Sequence, residues 1–157
     1  MEPKHLKRLI ETVLDEATQV SGKPLNSISA INLLMGTAAQ ESKMGRYLYQ
    51  LGKGPARGIF QIEPATEEDI LNRFVMHSHS MQEVMEHLGI CNSEFNLAGN
   101  LNYQIIIARL KYWSIPEKLP EADDIDGLAR YWKKYYNTEL GKGTVKEFKE
   151  NYRRYCG

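Results

Sequence analysis

The sequence has few cysteines, no long hydrophobic run and no net charge. Only Cys91 and Cys156 are present, too few for a disulfide scaffold and without the spacing of a zinc site. We therefore expect two free thiols, with a disulfide that fixes the C-terminus as the alternative. No apolar stretch is long enough to span a membrane, and the first ten residues lack the apolar run of a signal peptide. We expect synthesis in the cytoplasm and no stable membrane insertion.

The charged residues balance but are unevenly distributed. Lys and Arg together number 20, as do Asp and Glu, which argues against a general nucleic-acid binder, because such proteins are usually basic. Residues 43–57 hold four bases and no acid, residues 63–94 hold seven acids and one base, and residues 130–157 hold eight bases and three acids. Such stretches are typical of solvated faces, and an anionic polymer as the partner of the basic stretches is the alternative.

Hydrophobic periodicity predicts a mainly α fold of about seven helices in a single domain, residues 1–157. The expected helices cover about 3–20, 27–42, 66–74, 80–88, 93–113, 124–132 and 144–155. Their predicted caps are Asn26 or Ser27, Thr66 with Asp69, Ser80 with Glu83, Asp123 or Asp124, and Thr144 with Glu147. Residues 45–62 differ, because glycines and a proline interrupt two short apolar pieces. They predict a loop or one small β-hairpin.

Glu41 is the candidate catalytic residue. It stands at the end of an apolar helix, and the glycine-rich segment follows at once. A carboxyl group at such a junction can be shielded from water, which raises its pKa and keeps it protonated near neutral pH. A protonated carboxyl can give its proton to a leaving-group oxygen, as glycosidic bond cleavage requires. A solvated glutamate at a helix end is the alternative from position alone.

The pattern around Glu41 resembles the lysozyme-like superfamily, in its lytic transglycosylase and goose-type lysozyme branch. The resemblance rests on Glu41-Ser42, on the Gly-x-x-Gln-x-x-Pro-x-Thr segment from Gly58 to Thr66, and on later pieces as far as Tyr136-Asn137. It implies an α+β lysozyme-like fold with the small hairpin beside the active site. The small size and the lack of a signal peptide resemble a phage lysis enzyme or a virion-associated enzyme.

The resemblance also implies roles for individual residues. Glu41 would act as general acid and then as base, and Ser42 would lie beside its carboxyl, among the residues at the substrate. Gln61 would face the cleft and contact the sugar N-acetyl group or the acid, and Tyr131 would lie in the cleft near Glu41. Asn137 is expected at the substrate by its Tyr-Asn context. Trp132 is a further candidate, because aromatic faces stack well on sugar rings.

A second catalytic carboxylate is not evident in the sequence. Retaining and inverting glycosidases use a pair of carboxyl groups, yet no acid stands between Glu41 and Glu63. Glu63 is the best candidate for a second carboxylate. A missing partner would fit a lytic transglycosylase, in which the sugar's own C6 hydroxyl attacks and Glu41 acts alone. We favour that reaction, with hydrolysis as the alternative.

The expected activity is cleavage of the β-1,4 bond between N-acetylmuramic acid and N-acetylglucosamine in peptidoglycan. No cofactor or metal is expected, and His77, His79 and His87 are interpreted as surface residues. The expected partner is the glycan strand, met by a monomer that acts on the cell wall or in the periplasm, with holin-type release as a route. A non-catalytic wall-binding or virion structural module and a chitinase-like hydrolase are the alternatives.

Overall fold

The computed structural model describes residues 1–157 and contains eight α-helices and no β-sheet. The helices are α1 (Pro3–Ser21), α2 (Ile28–Ser42), α3 (Pro64–Ile70), α4 (His79–His87), α5 (Asn96–Gly99), α6 (Leu101–Trp113), α7 (Ile125–Trp132) and α8 (Val145–Cys156). A π-helical turn extends α3 over Leu71–Val75, and another extends α7 over Lys133–Asn137. The predicted mainly α class is confirmed. No helix is long and apolar enough to cross a bilayer.

The core is one hydrophobic cluster of 36 buried residues, and α2 lies at its centre. Ten of the fifteen residues of α2 are buried, because the helix is apolar or small on every side and packs on α1, α6, α7 and α8. Gly36 lets α8 come close, since a Cβ there would lie 2.3 Å from the Phe148 ring. The end of α2 at Glu41 is therefore fixed by packing on several helices.

The predicted β-hairpin within residues 45–62 is not formed. The segment consists of turns, with two isolated antiparallel bridges that pair Arg57 with Tyr49 and with Ile62. Left-handed backbone at Gly45, Gly52, Lys53, Gly58 and Gln61 interrupts any extended run. The glycines that predicted a hairpin turn are spread along the whole segment, so neither apolar piece is long enough to form a strand.

Three of the predicted helix caps are confirmed. The side chains of Ser27, Asp124 and Thr144 accept hydrogen bonds from the backbone N–H groups of Ala30, Gly127 and Glu147, respectively. These bonds satisfy donors that the first turn of a helix leaves free.

Two predicted helix starts were wrong, and so was the prediction of one continuous helix over 93–113. The helix α4 is capped by Ser78 rather than Ser80, and α3 begins at Pro64, two residues before Thr66, because proline fits the first turn. The helix expected over 93–113 is divided into α5 and α6 at Asn100, whose side chain caps α6 by accepting from the Tyr103 N–H.

Both cysteines are free, as predicted. Cys91 is exposed after α4, and Cys156 is partly buried at the end of α8, where burial raises the pKa of its thiol to about 12.

Gly58 lies in close contact with the backbone of Leu97 and has a left-handed conformation. A Cβ at this position would lie 2.1 Å from the backbone oxygen of Leu97, and its φ of +83° disfavours any side chain. We expect Gly58→Ala to lower the free energy of unfolding by about 3 kcal/mol or more, from backbone strain plus overpacking. Urea denaturation followed by circular dichroism measures this change.

Gly52→Ala is the matched control. Gly52 has a similar φ of +80°, but nothing lies within 4 Å of the position of its Cβ. It should cost about 1–2 kcal/mol from backbone strain alone. Equal losses in the two variants would show that the close approach of Gly58 to Leu97 is unimportant.

Candidate active site

A cleft of about 1310 Å³ opens at the C-terminal end of α2. The turn segment 45–62, with Lys43 before it and Glu63 and Thr66 after it, forms one wall. The other wall is formed by residues 135–143 and α8. Glu41 and Lys111 lie among the lining residues, the first from α2 and the second from α6. The cleft thus collects side chains from parts of the chain that are far apart in sequence.

The Glu41 carboxyl is partly buried and accepts a hydrogen bond from the indole N–H of Trp132, with 3.0 Å between Oε1 and Nε1. Burial raises the pKa of Glu41 from 4.5 to about 7, against the opposing effects of the Trp132 hydrogen bond and the Lys111 charge. The desolvation effect dominates, because a carboxylate loses hydration that one donor and one nearby cation do not replace. Glu41 is therefore balanced between its acid and base forms near neutral pH.

Lys111 is a partly buried cation in the cleft that no motif in the sequence indicated. Its Nζ lies 3.7 Å from the centroid of the Tyr136 ring and 3.4 Å from the Tyr136 carbonyl oxygen. Burial lowers the pKa of Lys111, and the charges of Glu41 and Glu63 raise it again. The available signal was a single lysine in an otherwise apolar helix, where Arg109 is the one other charged residue.

Two buried tyrosines connect the walls of the cleft. The Tyr136 hydroxyl donates to the Phe60 carbonyl at 2.5 Å, and the Tyr136 ring stacks on Tyr112 with 5.2 Å between centroids. The Tyr112 hydroxyl is bonded to Thr37 of α2 at 2.8 Å. Burial raises the pKa of both tyrosines well above the usual range, so both are neutral. They fix the turn segment and the end of α7 at set positions beside Glu41.

Ser42 is fully buried and does not line the cleft. Its hydroxyl donates to the Ile59 carbonyl at 2.6 Å and accepts from the Gly45 N–H at 2.8 Å. Ser42 therefore joins the end of α2 to the turn segment, and the predicted place at the substrate is not where the structure puts it. Successive side chains of a helix point about 100° apart, so the helix that directs Glu41 toward the cleft directs Ser42 toward the core.

Three of the candidate residues from the sequence, Gln61, Glu63 and Asn137, line the cleft. The Gln61 amide donates to the Gly58 carbonyl at 2.9 Å, and the backbone of Gln61 has a φ of +49°. Glu63 is exposed just before α3. Asn137 accepts a hydrogen bond of 2.6 Å from the Lys133 ammonium. These three side chains present polar groups on the walls around Glu41.

Tyr131 and Trp132 lie differently from the sequence prediction. Tyr131 does not line the cleft: it lines a second pocket, and its hydroxyl donates to the Glu117 carbonyl at 2.9 Å. Trp132 is fully buried, so its face cannot stack on a sugar, yet its N–H reaches Glu41. Adjacent residues of α7 point about 100° apart, so the helix that turns Trp132 toward Glu41 turns Tyr131 away.

Lys133 shapes the loop after α7. Its ammonium donates to the Asn137 side chain, to the Gly141 carbonyl at 3.0 Å and to the Gly143 carbonyl at 2.7 Å. All three of its donors are thus used inside the protein. A Cβ at Gly143 would lie 2.7 Å from the Trp132 ring, so the loop covers the indole that holds Glu41.

Comparison with known proteins returned no family model, no curated protein and no solved structure that matches this chain. The cleft also contains no cluster of histidine, cysteine and acidic side chains that could hold a metal ion.

The contact between Trp132 and Glu41 gives a direct prediction. Trp132→Phe removes the donor that stabilises the ionised carboxylate, so the pKa of Glu41 should increase by about 1. Carbon-13 NMR titration of the glutamate carboxyls measures this pKa, and the signal of Glu41 is assigned by its loss in Glu41→Gln.

Phe148→Leu is the control for packing, because Phe148 contacts the Trp132 ring with 5.3 Å between centroids and makes no hydrogen bond to Glu41. It should leave the pKa of Glu41 nearly unchanged. A pKa that falls in Trp132→Phe, or that moves equally in both variants, would contradict this account of the site.

Proposed function

We propose that the chain cleaves the β-1,4 glycosidic bond between N-acetylmuramic acid and N-acetylglucosamine in peptidoglycan, with Glu41 as the general acid. The observation that carries this proposal is a carboxyl group with a pKa of about 7 that faces a wide cleft. Effective general acids have a pKa near the working pH, because they must hold a proton and also release it. A glycosidic oxygen needs such a donor.

The first chemical step follows from the groups around Glu41. The protonated carboxyl transfers its proton to the bridging oxygen as the bond from that oxygen to C1 breaks, and positive charge develops at C1. The carboxylate left behind gains the Trp132 hydrogen bond, held at 3.0 Å, and the field of Lys111. Both stabilise the ionised form of Glu41, so proton release does not leave an isolated buried charge.

In the second step the Glu41 carboxylate accepts a proton from the nucleophile that attacks C1. In a lytic transglycosylase this nucleophile is the C6 hydroxyl of the same sugar, and a 1,6-anhydro ring forms. In a hydrolase it is water, and a reducing end forms. We favour the intramolecular reaction, because Glu41 is the one acid of the cleft that combines shielding from water with a hydrogen bond from a buried donor.

The size and the polar lining of the cleft support a polymeric substrate. Its volume of about 1310 Å³ exceeds the usual range of small-molecule pockets, roughly 300–1,000 Å³. Lys43 and Lys142 line the cleft together with Gln61 and Asn137, and the exposed carboxylates of Glu63 and Glu147 line it too, so the walls offer charged groups of both signs and neutral hydrogen-bonding groups. These groups suit the amide and carboxylate oxygens of a peptidoglycan strand.

The resemblance to the lysozyme-like superfamily gives the proposal its biological setting. We propose a divergent member of that superfamily, which reaches the cell wall after synthesis in the cytoplasm and acts in lysis of the host by a phage. The presence of Glu41, Gln61 and Asn137 in the lining of one cleft supports this proposal. Trp132 bonds to the Glu41 carboxyl, and Ser42 joins the end of α2 to the turn segment beside it.

Glu41→Gln tests the assignment of the acid. The amide has the same shape and no acidic proton, so lysis should fall roughly 10²- to 10⁴-fold while the fold is kept. A turbidity assay on permeabilised Gram-negative cells measures lysis, and circular dichroism confirms folding. Near-normal lysis by this variant would refute the role of Glu41.

Glu63→Gln and Glu147→Gln are the matched controls, because both glutamates are exposed and line the same cleft. If Glu41 acts alone, these variants retain most of their activity. A loss in Glu63→Gln as large as that in Glu41→Gln would instead identify a carboxylate pair. Complete inactivity of the native chain on walls and on soluble chitin oligomers would favour a non-catalytic wall-binding or virion structural module.

The products distinguish the two reactions. Mass spectrometry of digested peptidoglycan should show muropeptides with 1,6-anhydro ends, which are lighter than the hydrolysis products by one water. Exclusive formation of reducing ends would show that water is the nucleophile. Cleavage of chitin oligomers in preference to peptidoglycan would point to a chitinase-like hydrolase.

A further inference from the structure

A second pocket of about 430 Å³ lies behind the aromatic residues of the cleft wall. It shares no lining residue with the cleft. Tyr112 lines the pocket, Tyr136 lines the cleft, and their stacked rings separate the two spaces. The pocket is formed by the end of α6, residues 115–119 and α7, and most of its lining is apolar. Its volume falls in the range of small-molecule sites.

Arg109 is the cation of this pocket, and it lacks an ionic partner. The residue is 4% exposed, and its Nε donates to the Leu25 carbonyl at 2.6 Å. None of the ion pairs in the structure includes Arg109, and its terminal Nη groups make no hydrogen bond within the protein. Among side-chain nitrogen and oxygen atoms that solvent cannot reach, only Nε2 of Gln104 lacks a hydrogen-bond partner. The unpartnered Nη atoms of Arg109 are not in this group. The Nη groups of Arg109 are therefore accessible, and the pocket provides the access.

The charge of Arg109 is not neutralised by its surroundings. Burial lowers the pKa of its guanidinium to about 10, which leaves it charged at neutral pH. Glu117 is the one acid at the pocket, but its carboxylate is exposed and pairs with Lys134 at 3.4 Å. The Tyr131 hydroxyl donates to the Glu117 carbonyl. A buried guanidinium without a counter-ion is unfavourable, and an anion that enters the pocket would relieve this cost.

We propose that this pocket binds a small organic carboxylate with an apolar body. The carboxylate would pair with the two Nη groups of Arg109, which present parallel donors that match its two oxygens. The apolar body would pack on Trp113, Ile115 and Leu119. A free phosphate fits less well, because the pocket offers one cation and mainly apolar walls. The site is independent of peptidoglycan cleavage.

The proposal is tested by NMR titration of the full chain with phenylacetate. The indole N–H of Trp113, whose ring lies 5.4 Å from the Arg109 guanidinium carbon, and the Nε–H of Arg109 are the reporters. We expect saturable shifts of both signals. Phenylacetamide, which has the same shape without the charge, should bind at least tenfold more weakly, and inorganic phosphate should not bind more tightly than phenylacetate.

Two variants locate the binding. Arg109→Gln removes the charge, and Leu119→Trp fills the pocket without touching the charge, so each should weaken phenylacetate binding at least tenfold. Leu119 is only partly buried at the edge of the core, so we expect the protein to fold with a tryptophan there. Leu119→Trp therefore tests the location of the site even if Arg109→Gln fails to fold. Absence of saturable shifts, equal binding of the amide, or binding that survives Leu119→Trp would overturn the proposal.

Discussion

The partial burial of one carboxyl group, that of Glu41, is the constraint on which the site depends. A pKa of about 7 instead of 4.5 means that the folded protein holds this proton more tightly than the unfolded chain does. The contribution to stability therefore falls as the pH rises from 4.5 to 7, and by at most ~3 kcal/mol. The folded protein tolerates this loss of stability, and in it the Glu41 carboxyl can take up and release a proton near neutral pH.

Much of the surrounding architecture serves to keep Glu41 in that state. Ten of the fifteen residues of α2 are buried, so packing holds its last turn beside the Trp132 indole. Phe148 and Gly143 enclose that indole from α8 and from the loop shaped by Lys133. Trp132 and Lys111 limit the rise of the pKa. Without them, burial alone would produce a carboxyl too reluctant to release its proton.

The helical class and the sheltered position of Glu41 could be predicted from the sequence, because both leave local signals. The apolar periodicity of α2 and the glycines that follow it mark Glu41 as a residue at a sheltered junction. The glycines also suggested a hairpin, but a periodic pattern cannot report the left-handed backbone at Lys53 and Gln61 that divides the segment into turns. The glycine pattern thus indicated where this wall of the cleft lies in the sequence, but not its backbone conformation.

The partners of Glu41 could not be predicted in the same way. Trp132 is 91 positions away, and its role depends on the rotation of α7 rather than on any motif. The π-helical turn Lys133–Asn137 holds about one residue more than an α-helical turn. The side chains of Tyr136 and Asn137 therefore point in other directions, relative to Tyr131, than a continued α-helix would give them. Lys111 and Arg109 lie on one apolar helix, and only packing shows that one faces the cleft and the other the second pocket.

The pH dependence of peptidoglycan cleavage under kcat/KM conditions tests the central claim most directly. If a protonated Glu41 is the acid, the rate should fall on the alkaline side with an apparent pKa of about 7. The same limb should move to higher pH in Trp132→Phe. A rate that stays constant from pH 6 to pH 9, in a chain that cleaves the glycan, would contradict the account.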